Sequence, residues 1–310
     1  MLQENKLQEF DDVVKIGEGT YGKVYKCINK LTKEHFALKK IYLESEEEGI
    51  PSTSIKEIAL LKELENPNIV KLHNVIHYKK RLILVFEYCD EDLKHFITDF
   101  KNQEIPMKTV KNIMYQILKG MEFCHRNKIL HRDLKPANIL VSKKKLVKIA
   151  DFGLARSIGL PNKNFTNQVV TLWYRPPDVL LGSSNYNAAI DIWSVGCIMA
   201  ELVNNIPLIM GKNDGDQLKK IFSLFGTPNE EEYPEIKELK DWSKDKFERK
   251  SAVPLNKLVP RLDAAGLDLL DKMLKLNPKD RITAKDALDH KWFDEVRDEV
   301  ENLIQSYLKK

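Results

Sequence analysis

The sequence predicts a two-lobed α+β protein, with a small strand-rich N-terminal lobe carrying one helix and a larger, mainly helical C-terminal lobe. Three observations predict it. Short segments before residue 90 alternate apolar and polar residues with period two, as half-buried strands do. From Leu93 onward the apolar residues recur at helical spacing instead. A chain of 310 residues is long enough to bury one large core or two modest ones.

Phe10 to Ile16 and Lys23 to Ile28 read as the first two strands, separated by Gly17-Glu18-Gly19-Thr20-Tyr21-Gly22. Phe36 to Ile41 is the third. After an acidic loop, Pro51 opens a helix that runs to about Leu64, because a proline in the first turn lacks only a donor that has no helical partner. Ile58, Leu61 and Leu64 give it a helical face. Ile69 to His77 and Arg81 to Tyr88 complete the strands, and the join between lobes falls near Glu87 to Asp92. Val110 to Arg126 carries Ile113, Met114, Ile117, Leu118, Met121 and Phe123, a buried amphipathic pattern. Ile190 to Leu202 is nearly continuous in apolar residues and is expected to be a central core helix. Gln217 to Phe225, Ala264 to Leu276 and Ala284 to His290 supply further helices. The charged stretch Asp294 to Lys310 reads as a helical or frayed tail. The division is therefore 1–91, 92–293 and a tail over 294–310, without an internal repeat.

Composition narrows the function. The net charge of +4 is small for this length, and no Lys/Arg stripe with interleaved aromatics argues for nucleic acid. Lys143-Lys144-Lys145 sits between two apolar stretches and reads as a solvated hairpin turn in preference to a nuclear-localisation signal. Cys27, Cys89, Cys124 and Cys197 form no CxxC pair or Cys/His cluster, which argues against zinc and for reduced thiols in an intracellular, nuclear or cytoplasmic setting. No apolar run reaches the length of a membrane span, and no lipidation signal is present.

The chemistry concentrates in His131-Arg132-Asp133-Leu134-Lys135-Pro136-Ala137-Asn138, followed by Asp151-Phe152-Gly153. This spacing suits phosphoryl transfer from a nucleotide. Asp133 can accept a hydroxyl proton, Asn138 can offer an amide oxygen to Mg²⁺, and Asp151 can offer a carboxylate to the metals that bridge the phosphates. Gly17 to Gly22 is a GxGxxG, a weak signal alone, because dinucleotide-binding folds share it. Those folds run from strand to helix, whereas the residues after Gly22 alternate like a strand. A strand–turn–strand can fold over a nucleotide with backbone NH groups close to phosphate, where a side chain would obstruct. Lys39 lies on the third strand, and Glu57 on the following helix can reach across to it, a pairing that depends on helix position and so can act as a switch. Backbone groups of Glu87 and Cys89 can read an adenine edge, with Phe86 behind it or simply in the core.

Taken in order, Gly17-x-Gly19-x-x-Gly22, Ala37-Leu38-Lys39, Glu57, His131-Arg132-Asp133, Asn138 and Asp151-Phe152-Gly153 resemble a eukaryotic protein kinase. Pro51-Ser52-Thr53-Ser54-Ile55-Lys56-Glu57 is similar to the signature helix of the cyclin-dependent kinases. So are Glu18 to Gly22, Val169-Val170-Thr171-Leu172-Trp173-Tyr174-Arg175 and Leu224-Phe225-Gly226-Thr227-Pro228. The resemblance covers roughly Phe10 to Phe293. Pro176-Pro177-Asp178 and Glu87-Tyr88-Cys89-Asp90 are more like the family's neuronal, stress-related branch.

The resemblance implies a bilobal kinase fold with ATP between the lobes. Lys39 then contacts the α- and β-phosphates, Asp133 deprotonates a Ser or Thr hydroxyl, Lys135 steadies the γ-phosphate, and Asn138 and Asp151 hold Mg²⁺. Ile16, Val24, Ala37, Asp92 and Leu140 join the nucleotide site, and Thr171 braces Asp133 and Lys135. Val169 to Arg175 shapes a pocket for proline just after the target residue. A cyclin docking on Ile55 and its neighbours swings the Pro51–Glu57 helix inward. Phosphate on Thr166 adds about −1.5 to −2 charges and gathers Arg132, Arg156 and Lys56, whereas phosphate on Thr20 or Tyr21 crowds ATP.

Five departures from the family pattern stand out. Lys56 replaces Arg and cannot make a planar bidentate contact, so phosphate clamping is expected to be weaker. Ser54 replaces Ala, Ala137 replaces Gln, Asp178 replaces the Glu that pairs with an Arg, here Arg281, and Pro207 to Gly211 departs from Pro-Leu-Phe-Pro-Gly. A catalytically silent scaffold is disfavoured by Lys39, Glu57, Asp133, Asn138 and Asp151 together. A mitogen-activated relative is disfavoured by Phe165-Thr166-Asn167, which lacks a Thr-x-Tyr pair.

Overall fold

A computed structural model describes residues 7–19, 22–42, 58, 61–62, 64–78, 81–100, 103–152, 172–183, 187–243 and 245–309. The first lobe is a five-stranded antiparallel sheet. Its strands are β1 (Phe10–Gly19), β2 (Gly22–Asn29), β3 (His35–Tyr42), β4 (Leu72–Tyr78) and β5 (Arg81–Glu87), in the order β1-β2-β3-β5-β4. Side chains alternate between the faces of a strand, so the sheet sorts its residues in two. Cys27, Leu38, Ile76, Ile83 and Val85 form one buried face. Ile41, Leu72, Leu82 and Leu84 form the other, packed on Ile58, Leu61 and Leu64 and on Phe152 of the second lobe. Of the helix expected from Pro51, only Ile58, Leu61 and Lys62 are described as helical; Ile58, Leu61 and Leu64 are buried, as their spacing predicts.

The predicted strand from Ile69 begins later, at Leu72. Ile69 instead bridges Ile149 of the second lobe, and Val70 N–H donates to the Ile149 carbonyl at 3.0 Å. Just before it, buried Asn68 donates to the Val147 carbonyl at 2.9 Å and its carbonyl accepts from Ile149 N–H at 2.9 Å. Backbone groups that a strand would pair within its own sheet thus tie the lobes together.

A small sheet, β6 (Glu91–Asp92), β7 (Ile139–Val141) and β8 (Val147–Ile149), opens the second lobe. Its helices are α1 (Leu93–Asp99), α2 (Met107–Arg126), α3 (Pro177–Leu180), α4 (Ala189–Asn204), α5 (Asp214–Phe225), α6 (Leu255–Leu258), α7 (Ala264–Met273), α8 (Ala284–Leu288) and α9 (Arg297–Leu308). The turn at Lys143 and Lys144 lies between β7 and β8 as expected. α4 is the central core helix, with Trp193, Ile198, Met199 and Leu202 wholly buried. It stops at Asn205, whose left-handed backbone (φ 58°) suits an asparagine at a helix end. The Asp178 carboxylate, though shorter than the Glu it replaces, reaches Arg281, and both side chains are buried. The C-terminal stretch is a docked helix. Val300 and Ile304 of α9 are buried, and Glu301 takes Lys119 at 2.8 Å and the Tyr115 hydroxyl at 2.9 Å on α2. Its charged residues alternate with one apolar stripe, which is why its sequence reads as frayed.

No described helix is long and apolar enough to cross a membrane. Among the described residues no cluster of three or more His, Cys, Asp or Glu is arranged to hold a metal.

Candidate active site

Strand register places the N-lobe part of the site. Gly17 pairs with Val24, Val24 with Lys39, and Lys39 with Leu84, a row across β1, β2, β3 and β5. Ala37 pairs with Phe86 two residues along. Directly opposed residues share a face, so Val24, Ala37, Lys39, Leu84 and Phe86 all face Phe152 and the second lobe. Ile16, on β1, is 49% exposed, an apolar side chain half open to solvent. The glycines differ in their reasons. A Cβ on Gly22 (φ 150°) would collide with the Lys40 carbonyl oxygen, so the sheet itself demands that glycine. Among the described residues, a Cβ on Gly17 would meet only Val24, at 3.9 Å.

The loop from His131 to Asn138 is built on buried polar bonds. Asp191, wholly buried at the start of α4, accepts from His131 N–H at 3.0 Å, Arg132 N–H at 2.8 Å and His125 Nε2 at 2.9 Å. These bonds hold Arg132 at φ 67°, a conformation that costs a non-glycine residue about 1–3 kcal/mol and persists only when its surroundings impose it. His131 Nε2 donates to the Ala150 carbonyl at 2.9 Å, and its Nδ1 accepts from Asp133 N–H at 3.3 Å. The imidazole thereby couples the loop to the residue before Asp151, itself at φ 61°.

Asp133 Oδ2 pairs with Lys135 Nζ at 2.9 Å and accepts from Asn138 Nδ2 at 3.3 Å. Its Oδ1 is buried and has no hydrogen-bond partner among the described residues. A buried acceptor without a partner is costly, and here it is the oxygen an incoming hydroxyl can satisfy. Asn138 Nδ2 also donates to the Asp133 carbonyl at 2.8 Å, which commits the amide nitrogen and turns the oxygen into the cation-binding end. Lys39 Nζ meets Asp151 Oδ1 at 2.6 Å. Burial alone would raise the Asp151 pKa; the charge and hydrogen bond of Lys39, helped by His131 and Lys135, outweigh it and hold the carboxyl below its ordinary range. One carboxylate and one amide oxygen fit Mg²⁺, which takes few protein ligands and keeps waters or phosphate oxygens for the rest.

At the join, Glu87 N–H is committed to the Lys71 carbonyl at 3.0 Å, so only the carbonyl of Glu87 is left for an adenine edge, beside the backbone of Cys89. Asp92 caps α1, accepting from His95 N–H at 2.9 Å. Leu140 stands opposite it in the β6–β7 pairing. Lys56, Glu57, Thr20, Tyr21, Arg156, Thr166, Thr171 and Gly153 lie outside the described residues. Asp151 is a described partner of Lys39, and the expected pairing with Glu57 lies outside the described residues.

Sequence reasoning missed Asp191 and His125. The available signal was a lone carboxylate in the apolar run Ile190-Asp191-Ile192-Trp193, since a buried charge must be partnered. It also missed Glu201 of α4, whose carboxylate accepts from the Tyr174 hydroxyl at 2.7 Å. Burial raises the Glu201 pKa to about 7 against that hydrogen bond. Glu201 lines a cavity of about 740 Å³ with Lys135, Ala137, Trp173 and Tyr174, immediately beside the catalytic loop.

A family model for the protein kinase domain matches residues 10–293, nearly the whole chain. The match agrees with the strand-built lobe over a helical one. The chain belongs to the protein kinase family and is an ATP-dependent protein phosphotransferase.

Proposed function

We propose that this kinase is a proline-directed Ser/Thr kinase of the cyclin-dependent type, acting inside the cell, in the nucleus or the cytoplasm. The observation that carries the chemical part is the buried Oδ1 of Asp133, unpartnered among the described residues, with Lys135 and Asn138 on the other oxygen. Asp133 orients the substrate Ser or Thr hydroxyl and takes its proton. Lys135, 2.9 Å away, neutralises charge on the transferred group. Lys39 exchanges part of its contact with Asp151 for the α- and β-phosphates. Asn138 and Asp151 would hold Mg²⁺, which would supply electrostatic stabilisation of the transferred group's charge. The chain's own contribution is positioning, because the strained loop at Arg132 and Asp151 is fixed before any ligand arrives.

The finer assignment rests on sequence. Pro51 to Glu57 supports cyclin docking, Val169 to Arg175 supports proline after the target residue, and Thr166 supports activation by phosphate. The test is transfer of radiolabelled phosphate from ATP to paired peptides containing Ser-Pro and Ser-Ala, with the chain alone and with candidate cyclins. The reading predicts low activity alone, strong stimulation by one cyclin and preference for Ser-Pro. Full activity without any partner, or equal use of both peptides, would overturn it.

A further inference from the structure

The helix α9 lies beyond the kinase-domain match, which ends at residue 293, yet its last turn reaches the join between the lobes. Glu87, the last residue of β5, carries the junction. Its Oε1 accepts from Lys71 N–H at 2.7 Å and pairs with Lys148 Nζ at 2.9 Å. Its Oε2 accepts from the Tyr307 hydroxyl of α9 at 3.2 Å. Lys148, on β8 and almost wholly buried, donates in turn to the same hydroxyl at 3.3 Å and lies 4.5 Å from the centre of the Tyr307 ring. One hydroxyl therefore closes a ring through β5, β8 and α9. Each member acts on the site by a short route: Glu87 is at the lobe join, and β8 leads directly to Asp151.

We propose that Tyr307 is a positioning residue for nucleotide binding, fixing Glu87 and Lys148 so that the backbone at the lobe join meets the adenine. The inference rests on the proposed adenine contact at Glu87 and Cys89. Lys148 and Glu87 keep each other without the hydroxyl, so the pair stays charge-balanced, but the carboxylate loses its third tether and gains freedom to turn the end of β5. Further along, α9 is held to α2 by Glu301 on Lys119 and Tyr115, with the Lys111–Glu295 pair at 2.8 Å just ahead of it, contacts remote from the join. Docking of the helix and positioning of the join are thus separable.

Tyr307→Phe tests this in the full chain, since it keeps the ring over Lys148 and the packing of α9. By calorimetric titration its Kd for MgADP should rise about threefold to tenfold, the scale of one ordinary hydrogen bond lost. In the assay above, KM for ATP should rise by the same factor, with kcat within about twofold. Glu301→Gln is the comparator; it should lower the melting temperature and leave Kd unchanged. An unchanged Kd and KM for Tyr307→Phe, whatever its melting temperature, would overturn the inference, as would an equal rise in Kd for Glu301→Gln. If the wild-type chain binds no MgADP, the adenine reading falls and takes this inference with it. Normal binding that ignores Tyr307→Phe removes the inference alone.

Discussion

The two walls of the cleft are held by different physics. On the C-lobe side, the loop from His131 to Asn138 hangs from Asp191, a wholly buried carboxylate with three donors. On the N-lobe side, Lys39 sits on a sheet and meets the other lobe through Asp151, whose side chain is 38% exposed. Breaking a buried, fully partnered charge is strongly destabilising, whereas a part-exposed pair is easily exchanged for other partners. The comparison teaches that the wall carrying Asp133 is preformed and the wall carrying Lys39 is adjustable, the division that the proposed control by a partner would use.

Substitutions can break that contrast. The largest effect is expected from Asp133→Asn, which removes the proton acceptor while keeping its shape. It should lower kcat by about 10²–10⁴-fold with the Kd for MgADP nearly unchanged, measured by peptide phosphorylation and calorimetry. Next is Asp191→Ala, which strands the His131 and Arg132 amides. It should cost about 3–5 kcal/mol in urea unfolding, and a loss under about 1 kcal/mol, the scale of an ordinary substitution, would refute the idea that the loop hangs from α4.

Glu201→Gln sharpens the contrast through pH. Burial raises the Glu201 pKa from 4.5 to about 7, so the folded state holds a proton that the unfolded state releases. Its contribution to stability is therefore full below about pH 4.5 and is lost as pH rises towards 7. The amide put there by Glu201→Gln cannot ionise, so the variant should lose less stability over that window, by an amount on the order of 2–3 kcal/mol; parallel stability–pH curves for the two proteins would contradict it. The smallest effect is expected from the proposed phosphorylation at Thr166. With Lys56 in place of Arg, Thr166→Ala should retain a sizeable part of cyclin-stimulated activity, within about tenfold of wild type. A near-total loss would show that phosphate clamping does not depend on a planar partner.

These regions also differ in how far the sequence disclosed them. The strands, the core helix and the residues of the two motifs were legible, because alternation and helical spacing report which face of a local element is buried. Val24, Ala37, Lys39 and Phe86 come together as their strands imply. The supports are less legible. Asp191 meets amides some 60 residues earlier in the chain, and local periodicity carries no signal for a partner that distant. Gly22 reads in sequence as making room for phosphate, but packing against Lys40 requires it first. Sequence points to Glu87 for its backbone, while half of that backbone is already committed and its side chain is the anchor. The tail is hard to tell from a frayed end because its buried stripe is only Val300 and Ile304 with flanking Leu303 and Tyr307.

The central claim is that a hydroxyl resting on Asp133 accepts phosphate from ATP, with Asn138 and Asp151 as the residues that would hold the divalent ions. Its most direct test is a Mg²⁺ titration of phosphate transfer to a Ser-Pro peptide by the wild type and by Asp151→Asn, each with the proposed cyclin partner. The account predicts saturable Mg²⁺ dependence in the wild type and a rate reduced at least about 100-fold in the variant. Equal rates in the two proteins, or transfer that persists in chelator, would contradict it.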